Sequence, residues 1–345
     1  MKARLASLAL LPLALATGAA QAQVTTIKFS HFLAPNSNFH KFVAEPWCAA
    51  IEKDSGGKLK CQIYPALQLG GTPPQLVDQV KNGVADVVWT SPSYSTGRFP
   101  RTEALELPFT LPPGGLNGSK AMWEYYQKNA QEDFKDFKVL AIFSASNVVM
   151  STASKPILTV DGFKGVKLRS PSRFSSLFLS ALGGTPVNMP IAQVTESVSK
   201  GVIDGAMAPW EVLPATKIDE VTKYHMEGQP GQPGFTQTPM AVLMNKAKFE
   251  GLPADLKAVI DKHSGTALVE LTGKVWDQGN DEARKKMSGQ GNKILVIKNE
   301  DYAAMKKAVA SVEEDWIKQA TAKGLDGKKL AADVHAIGAK YLSAK

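Results

Sequence analysis

Two stretches, Lys81-Asn-Gly-Val-Ala-Asp86 and Lys200-Gly-Val-Ile-Asp-Gly-Ala-Met-Ala-Pro-Trp210, share one joint: Gly83-Val-Ala-Asp86 in the first, Gly201-Val-Ile-Asp204 in the second. In each, a glycine stops an amphipathic run and a short apolar segment opens a strand, as expected where a helix ends on a left-handed residue. Working outward from the first joint, alternation over 26–32 predicts a strand, the Asn36-Ser-Asn38 cluster caps a helix from Phe39 to Lys53, and 58–64 alternates again. A helix opened by Pro73 and Pro74 then leads to the strand 85–90. Around the second joint the order repeats: strand 165–170, helix 172–182, strand 185–189, helix 191–200, strand 202–206. Strands alternating with helices predict α/β architecture, and its repetition predicts two similar lobes. A second likeness, Leu69-Gly-Gly-Thr-Pro73 against Leu182-Gly-Gly-Thr-Pro186, lies out of register with the joints and carries no weight.

Between the lobes, the apolar run 139–151 reads as one long strand crossing from one sheet to the other. The turn-rich Gly228-Gln-Pro-Gly-Gln-Pro-Gly234 precedes a return crossing at 235–244. Two crossings make a hinge with a cleft beside it. Residues 253–287 have the periodicity of one long helix or a broken pair, and 299–323 of another, both read as packing struts. The division expected is 1–22 as a signal peptide, 23–146 plus 236–275 as lobe I, and 147–235 plus 276–345 as lobe II with the C-terminal helices.

The first residues predict export. Lys2 and Arg4 precede an apolar run from Leu5 to Ala16, and Ala20-Gln21-Ala22 is a small-x-small cleavage signal, so the mature chain is expected to start near Gln23. The run is too short to span a bilayer. Of the formal charge of +8, Lys2 and Arg4 account for two, leaving +6 on the mature part. The lysines are spread and not interleaved with aromatics, which argues against nucleic-acid binding. In an oxidising compartment Cys48, on a helix, and Cys61, on the following strand, are expected to form a disulfide, with two buried thiols as the alternative.

Chemistry for turnover is sparse. The five histidines show no metal-ligand spacing, no Gly-x-Ser-x-Gly elbow occurs, and Ser197-Val-Ser-Lys200 sits at a helix end as a pattern short enough to arise by chance. The expectation is therefore no catalytic residues, no metal and no cofactor. Recognition is better served. Arg169 ends a short strand of apolar and small residues, where a guanidinium is costly unless an anion faces it. Aromatic and polar residues gather at strand ends: Phe32 after the first strand, Trp89, Ser91 and Tyr94 after the third, Ser146, Asn147 and Val149 in the crossing, and Met189, Met207, Trp210 and Phe235 near the second lobe's strand ends. In open α/β sheets such ends face the binding crevice.

The order and spacing of Tyr64-Pro-Ala-Leu-Gln-Leu-Gly70, Lys81 to Asp86, Leu105-Glu-Leu-Pro-Phe109, Gly165-Val-Lys-Leu-Arg169, 183–190 and Gly201 to Gly205 with Pro209 resemble the solute-binding proteins of tripartite ATP-independent periplasmic (TRAP) transporters, the C4-dicarboxylate-binding-protein family. The resemblance implies a two-lobed periplasmic-binding-protein fold, two mixed sheets flanked by helices, hinge crossovers and a long bracing helix. It also implies closure on an organic acid held by Arg169, and delivery to an ion-gradient-driven membrane permease from the periplasm, with a monomer expected. Two departures bear on the ligand. Where dicarboxylate and sialic-acid binders of the family often carry a further arginine, Asn147-Val-Val-Met150 has none, and Met207-Ala208 stands where Glu-Asn is common before the matching proline. A small monocarboxylate with an apolar or aromatic body is the expectation, for example an aromatic or branched 2-hydroxy or 2-oxo acid. A dicarboxylate or sugar acid, an exported enzyme acting on organic acids, or a receptor that signals to a membrane sensor are the alternatives.

Overall fold

A computed structural model describes residues 24–146 and 148–343. Residues 1–22, expected as a signal peptide cleaved near Ala22, and Asn147 lie outside the described residues. In chain order the elements are β1 (Thr25–His31), α1 (Glu45–Asp54), β2 (Leu59–Tyr64), α2 (Leu76–Lys81), β3 (Val87–Thr90), α3 (Gly115–Tyr125), β4 (Phe137–Ser144), β5 (Val148–Thr152), β6 (Lys167–Ser170), α4 (Arg173–Ala181), β7 (Thr185–Asn188), α5 (Val194–Ser199), β8 (Gly205–Pro209), α6 (Val212–Ala215), α7 (Ile218–Val221), β9 (Tyr224–Glu227), β10 (Pro239–Asn245), α8 (Lys246–Glu250), α9 (Ala254–Lys262), α10 (Thr266–Gly289), β11 (Lys293–Val296), α11 (Asn299–Ala308), α12 (Ala310–Ala322) and α13 (Gly327–Leu342).

Two mixed sheets result, β2-β1-β3-β10-β4 and β11-β9-β5-β8-β6-β7. The shared joint is built alike in both. Gly83 and Gly201 take φ of 74° and 67°, and the next amides, of Val84 and Val202, donate back to the carbonyls of Gln79 and Ser197, closing each helix. Asp86 then accepts from the Lys28 amide at 2.8 Å, and Asp204 from the Lys167 amide at 2.7 Å. Each aspartate also takes its neighbour's other bond: its amide donates to the carbonyl of that same lysine, and its carbonyl accepts from the antiparallel strand, Asn245 in one sheet and Ala153 in the other. The echo in the sequence is thus one strand-start device used twice. The Leu-Gly-Gly-Thr-Pro likeness has no such counterpart, since Gly70 and Gly71 precede α2 whereas Gly183 and Gly184 follow α4.

The joint's fourth bond comes from an exchanged strand. β4 leaves the first sheet and β5 enters the second, so the run expected as one strand is two, broken at Ala145 and Ser146. A strand cannot serve two twisted sheets without a bend. Ser146 supplies it with φ 70°, its amide donating to the Ser144 hydroxyl at 2.9 Å and its own hydroxyl accepting from Asn280 at 2.5 Å. The return crossing joins β9 to β10, whose strand begins at Pro239 rather than at 235.

Of the two readings of 253–287, one long helix or a broken pair, the structure has the pair, α9 and the 24-residue α10. At 1.5 Å per residue α10 is about 36 Å long, enough to touch both lobes. Near its start Gly273 meets Gly115 of α3, where a Cβ on Gly115 would come within 2.3 Å of the Gly273 carbonyl oxygen. Further along, Trp276 packs edge-on to Trp89 and Phe143 in the first lobe, and Lys286 reaches Asp219 of the second at 2.7 Å. The C-terminal α13 lies on α3, with Gly338 close enough to Thr110 that a Cβ would sit 1.9 Å from its carbonyl oxygen. That contact sets α13, the end of the segment expected with the second lobe, against α3, while α12 packs on α4.

Cys48 of α1 and Cys61 of β2 are bonded, with Cα atoms 5.5 Å apart. The bridge ties a helix to the edge strand it covers.

Candidate functional site

Arg169 lies in β6 between β7 and β8, opposite Val187 on one side and Ala206 on the other. Its side chain is 1 % exposed. Two main-chain carbonyls hold it: Nε donates to Met189 at 3.0 Å and Nη1 to Met207 at 2.8 Å. The Tyr94 hydroxyl also reaches the guanidinium, and no carboxylate pairs with it among the described residues. Burial lowers the arginine's pKa from its ordinary value, and Tyr94 opposes that shift. Burial in turn raises the pKa of the Tyr94 phenol, against the pull of Arg169, so the pair stands as a cation and a neutral phenol.

A buried cation supported only by neutral dipoles remains underpaid by several kcal/mol. It opens onto a cavity between the lobes of about 40 Å³ as reached by the centre of a water molecule. Phe32, Trp89 and Tyr94 come from the first lobe, Pro171, Pro209 and Glu211 from the second, and Trp276 from α10. The aromatic wall is ordered by its own contacts. Trp89 is sandwiched between Phe32 and Phe39, with ring centroids 4.7 Å and 3.8 Å away, and Tyr94 meets Phe32 edge-on at 5.8 Å. Those rings stand at the ends of β1 and β3, where parallel strands deliver side chains to the crevice.

The other expected contacts are placed differently. Met189 and Met207 act through their carbonyls on Arg169 and not through their side chains. Ser91 is fully buried and committed, donating to the Pro239 carbonyl at 2.8 Å while accepting from the Ser93 amide. Ser146 is occupied by the sheet switch, and Val149 is buried in β5 opposite Ala208. Trp210 and Phe235 line a separate cleft beside the crossings, together with Glu227 and Arg284. There the Trp210 indole donates to Glu227 at 3.1 Å, and the Arg284 guanidinium lies 5.2 Å over its ring. The residue after Pro209 therefore turns to the hinge, and the one after that, Glu211, turns to the cavity.

Glu211 and Trp276 were missed in the sequence. Trp276 belongs to a helix read as a strut, and nothing local marks which of its faces meets the cleft. Glu211 is 6 % exposed with no hydrogen-bond or ionic partner among the described residues, and burial pushes its pKa up to about 8. At neutral pH the cavity therefore carries one net positive charge, on Arg169. A signal existed: a carboxylate two residues past the proline that ends a buried strand.

The family described as DctP, bacterial extracellular solute-binding protein, family 7, matches residues 29–319. A TRAP solute-binding protein from Rhodoferax ferrireducens T118, solved in complex with copurified benzoate, superposes with a TM-score of 0.89 at 39% identity, covering 92% of this chain and 98% of that one. A marine-metagenome TRAP solute-binding protein specific for aromatic acid ligands, solved with 3-hydroxybenzoate, gives a TM-score of 0.89 at 42% identity, covering 92% and 99%. The C4-dicarboxylate-binding periplasmic protein DctP of Rhodobacter capsulatus is 25% identical over 320 residues, 90% of this chain and 92% of that one.

Proposed function

Since the chain belongs to family 7 of the bacterial extracellular solute-binding proteins, and within it to the TRAP solute-binding proteins, we propose that it is the periplasmic receptor for a small aromatic monocarboxylate, which it hands to a TRAP permease. The observation that carries this reading is the buried guanidinium of Arg169, held by two carbonyls and unpaired with any acid among the described residues, at the wall of an aromatic cavity. One carboxylate supplies the missing counter-charge through a bidentate, charge-assisted contact, the arrangement for which arginine's planar fork is suited. A flat apolar body then fills the space beside Phe32, Trp89 and Trp276. A second carboxylate would find no cation and would lose its hydration without return.

In this reading, residues 1–22 direct export and are removed near Ala22, the receptor works as a monomer, and it binds without turnover. The lobes meet at the crossings β4–β5 and β9–β10, so closure on ligand is a hinge motion that presents a joined surface to the permease. The relatives solved with benzoate and 3-hydroxybenzoate support the choice of ligand class.

A thermal-shift and calorimetry series with benzoate, succinate and glucuronate tests this. Benzoate at a hundred times its Kd is expected to add about 2.7 kcal/mol of stability, and the other two to add nothing measurable at equal concentration. Preference for succinate or glucuronate would move the reading to a dicarboxylate or sugar-acid receptor.

A further inference from the structure

Glu211 follows β8 and reaches the cavity that Arg169 also lines, while its other side borders a second pocket formed with Asn36, Asn38 and Gly279. Its backbone placement is tight: a Cβ on Gly279 of α10 would lie 3.1 Å from the Glu211 Cβ. Glu211, 6 % exposed and without a partner among the described residues, has given up most of its hydration, a cost that a ligand group bonding to its carboxyl would offset. It is not the counter-ion of Arg169, whose partners are two carbonyls and Tyr94.

We propose that Glu211 is a specificity-determining residue: its carboxyl takes a hydroxyl of the aromatic monocarboxylate whose own carboxylate sits on Arg169. The inference rests on the monocarboxylate reading above. A carboxylic acid both donates and accepts, so it matches a hydroxyl, which also does both. With its pKa raised from 4.5 to about 8 by burial, Glu211 holds its proton at pH 7 and adds no repulsion toward a monoanion. Above pH 8 it ionises, and anion affinity falls. The charged and titratable groups around it are Arg169 and Tyr94 across the cavity, and Glu282 and Lys286 of α10 in the adjoining pocket, where Lys286 is engaged with Asp219. All of them are the same in a Glu211 variant, so a comparison at each pH isolates Glu211.

Calorimetry with benzoate, the three hydroxybenzoate isomers and the three benzenedicarboxylates, on wild type, Glu211→Gln and Glu211→Leu, tests the proposal. At pH 7 the best hydroxybenzoate is expected to bind wild type roughly tenfold tighter than benzoate, the worth of one buried hydrogen bond. Glu211→Leu is expected to erase that ratio and Glu211→Gln, which can still donate and accept, to keep most of it. All three dicarboxylates are expected to bind more weakly than benzoate. Between pH 6 and 9 benzoate affinity should fall in wild type more than in Glu211→Gln. A hydroxybenzoate-to-benzoate ratio unchanged in Glu211→Leu, with benzoate still bound, overturns the role of Glu211 alone. Failure of wild type to bind any of these monocarboxylates overturns both this role and the receptor reading beneath it.

Discussion

Arg169→Met is expected to weaken benzoate binding at least about a hundredfold, because it removes two charge-assisted hydrogen bonds worth roughly 1.5–3 kcal/mol each from a site closed to water. Methionine is chosen to fill much of the same space while withdrawing the buried charge. Some stability will be lost with it, since the carbonyls of Met189 and Met207 lose their donors. Circular dichroism and the unfolding midpoint of the unliganded variant separate that effect from binding. Arg169→Lys keeps a charge but not a fork, and an ammonium on a flexible stem cannot serve Met189, Met207 and both ligand oxygens together. Its affinity is therefore expected to fall between wild type and Arg169→Met. A Kd within threefold of wild type in folded Arg169→Met would contradict the assignment of the carboxylate to this side chain.

The second large effect is on stability. Cys48 and Cys61 are 13 residues apart in sequence, and releasing so short a loop in the unfolded chain costs about 3 kcal/mol of stability in the chain-entropy account. The double variant Cys48→Ser, Cys61→Ser is expected to lose that much unfolding free energy, read as a lower urea midpoint and an unfolding temperature several degrees lower. Ligand affinity should be kept, because the bridge joins α1 to β2 at the outer edge of the first sheet, whereas the cavity lies at the ends of β1, β3, β6 and β8. An unchanged urea midpoint would show that the helix and edge strand are held by their packing alone. Free thiols titrated in native wild-type protein would remove the bridge from the account.

How much was legible in the sequence depended on whether the deciding interactions were local. The helix stops of the two joints were readable because a left-handed glycine after a helix is local chemistry, whereas the bonds of Asp86 to Lys28 and of Asp204 to Lys167 span 58 and 37 residues and had no local signal. Arg169 was readable because a guanidinium in an apolar strand is anomalous wherever the strand lies. The break at Ser146 was not, since it arises from two sheets twisting away from one another and from an asparagine on α10, 134 residues further along the chain. The aromatic residues divide on the same ground. Phe32 and Tyr94 follow strands that run into the cleft, and Trp89 stands near the end of one, so position along the chain sufficed. Trp210 and Phe235 sit equally close to strand ends, but Glu227 and Arg284 draw Trp210 to the hinge, and Phe235 packs with Phe109 and Tyr302. Glu211 escaped because a lone glutamate after a strand ordinarily belongs to the surface. Only the packing of α10 over it, with Gly279 leaving no side chain in the way, makes it a buried acid facing the ligand cavity.

The most direct test is a crystal structure of the protein with bound benzoate. The account predicts both carboxylate oxygens within about 3 Å of the Arg169 guanidinium nitrogens, and the ring against Phe32, Trp89 and Trp276. Benzoate seated instead in the cleft beside Trp210 and Phe235, with Arg169 left to the carbonyls of Met189 and Met207, would contradict it.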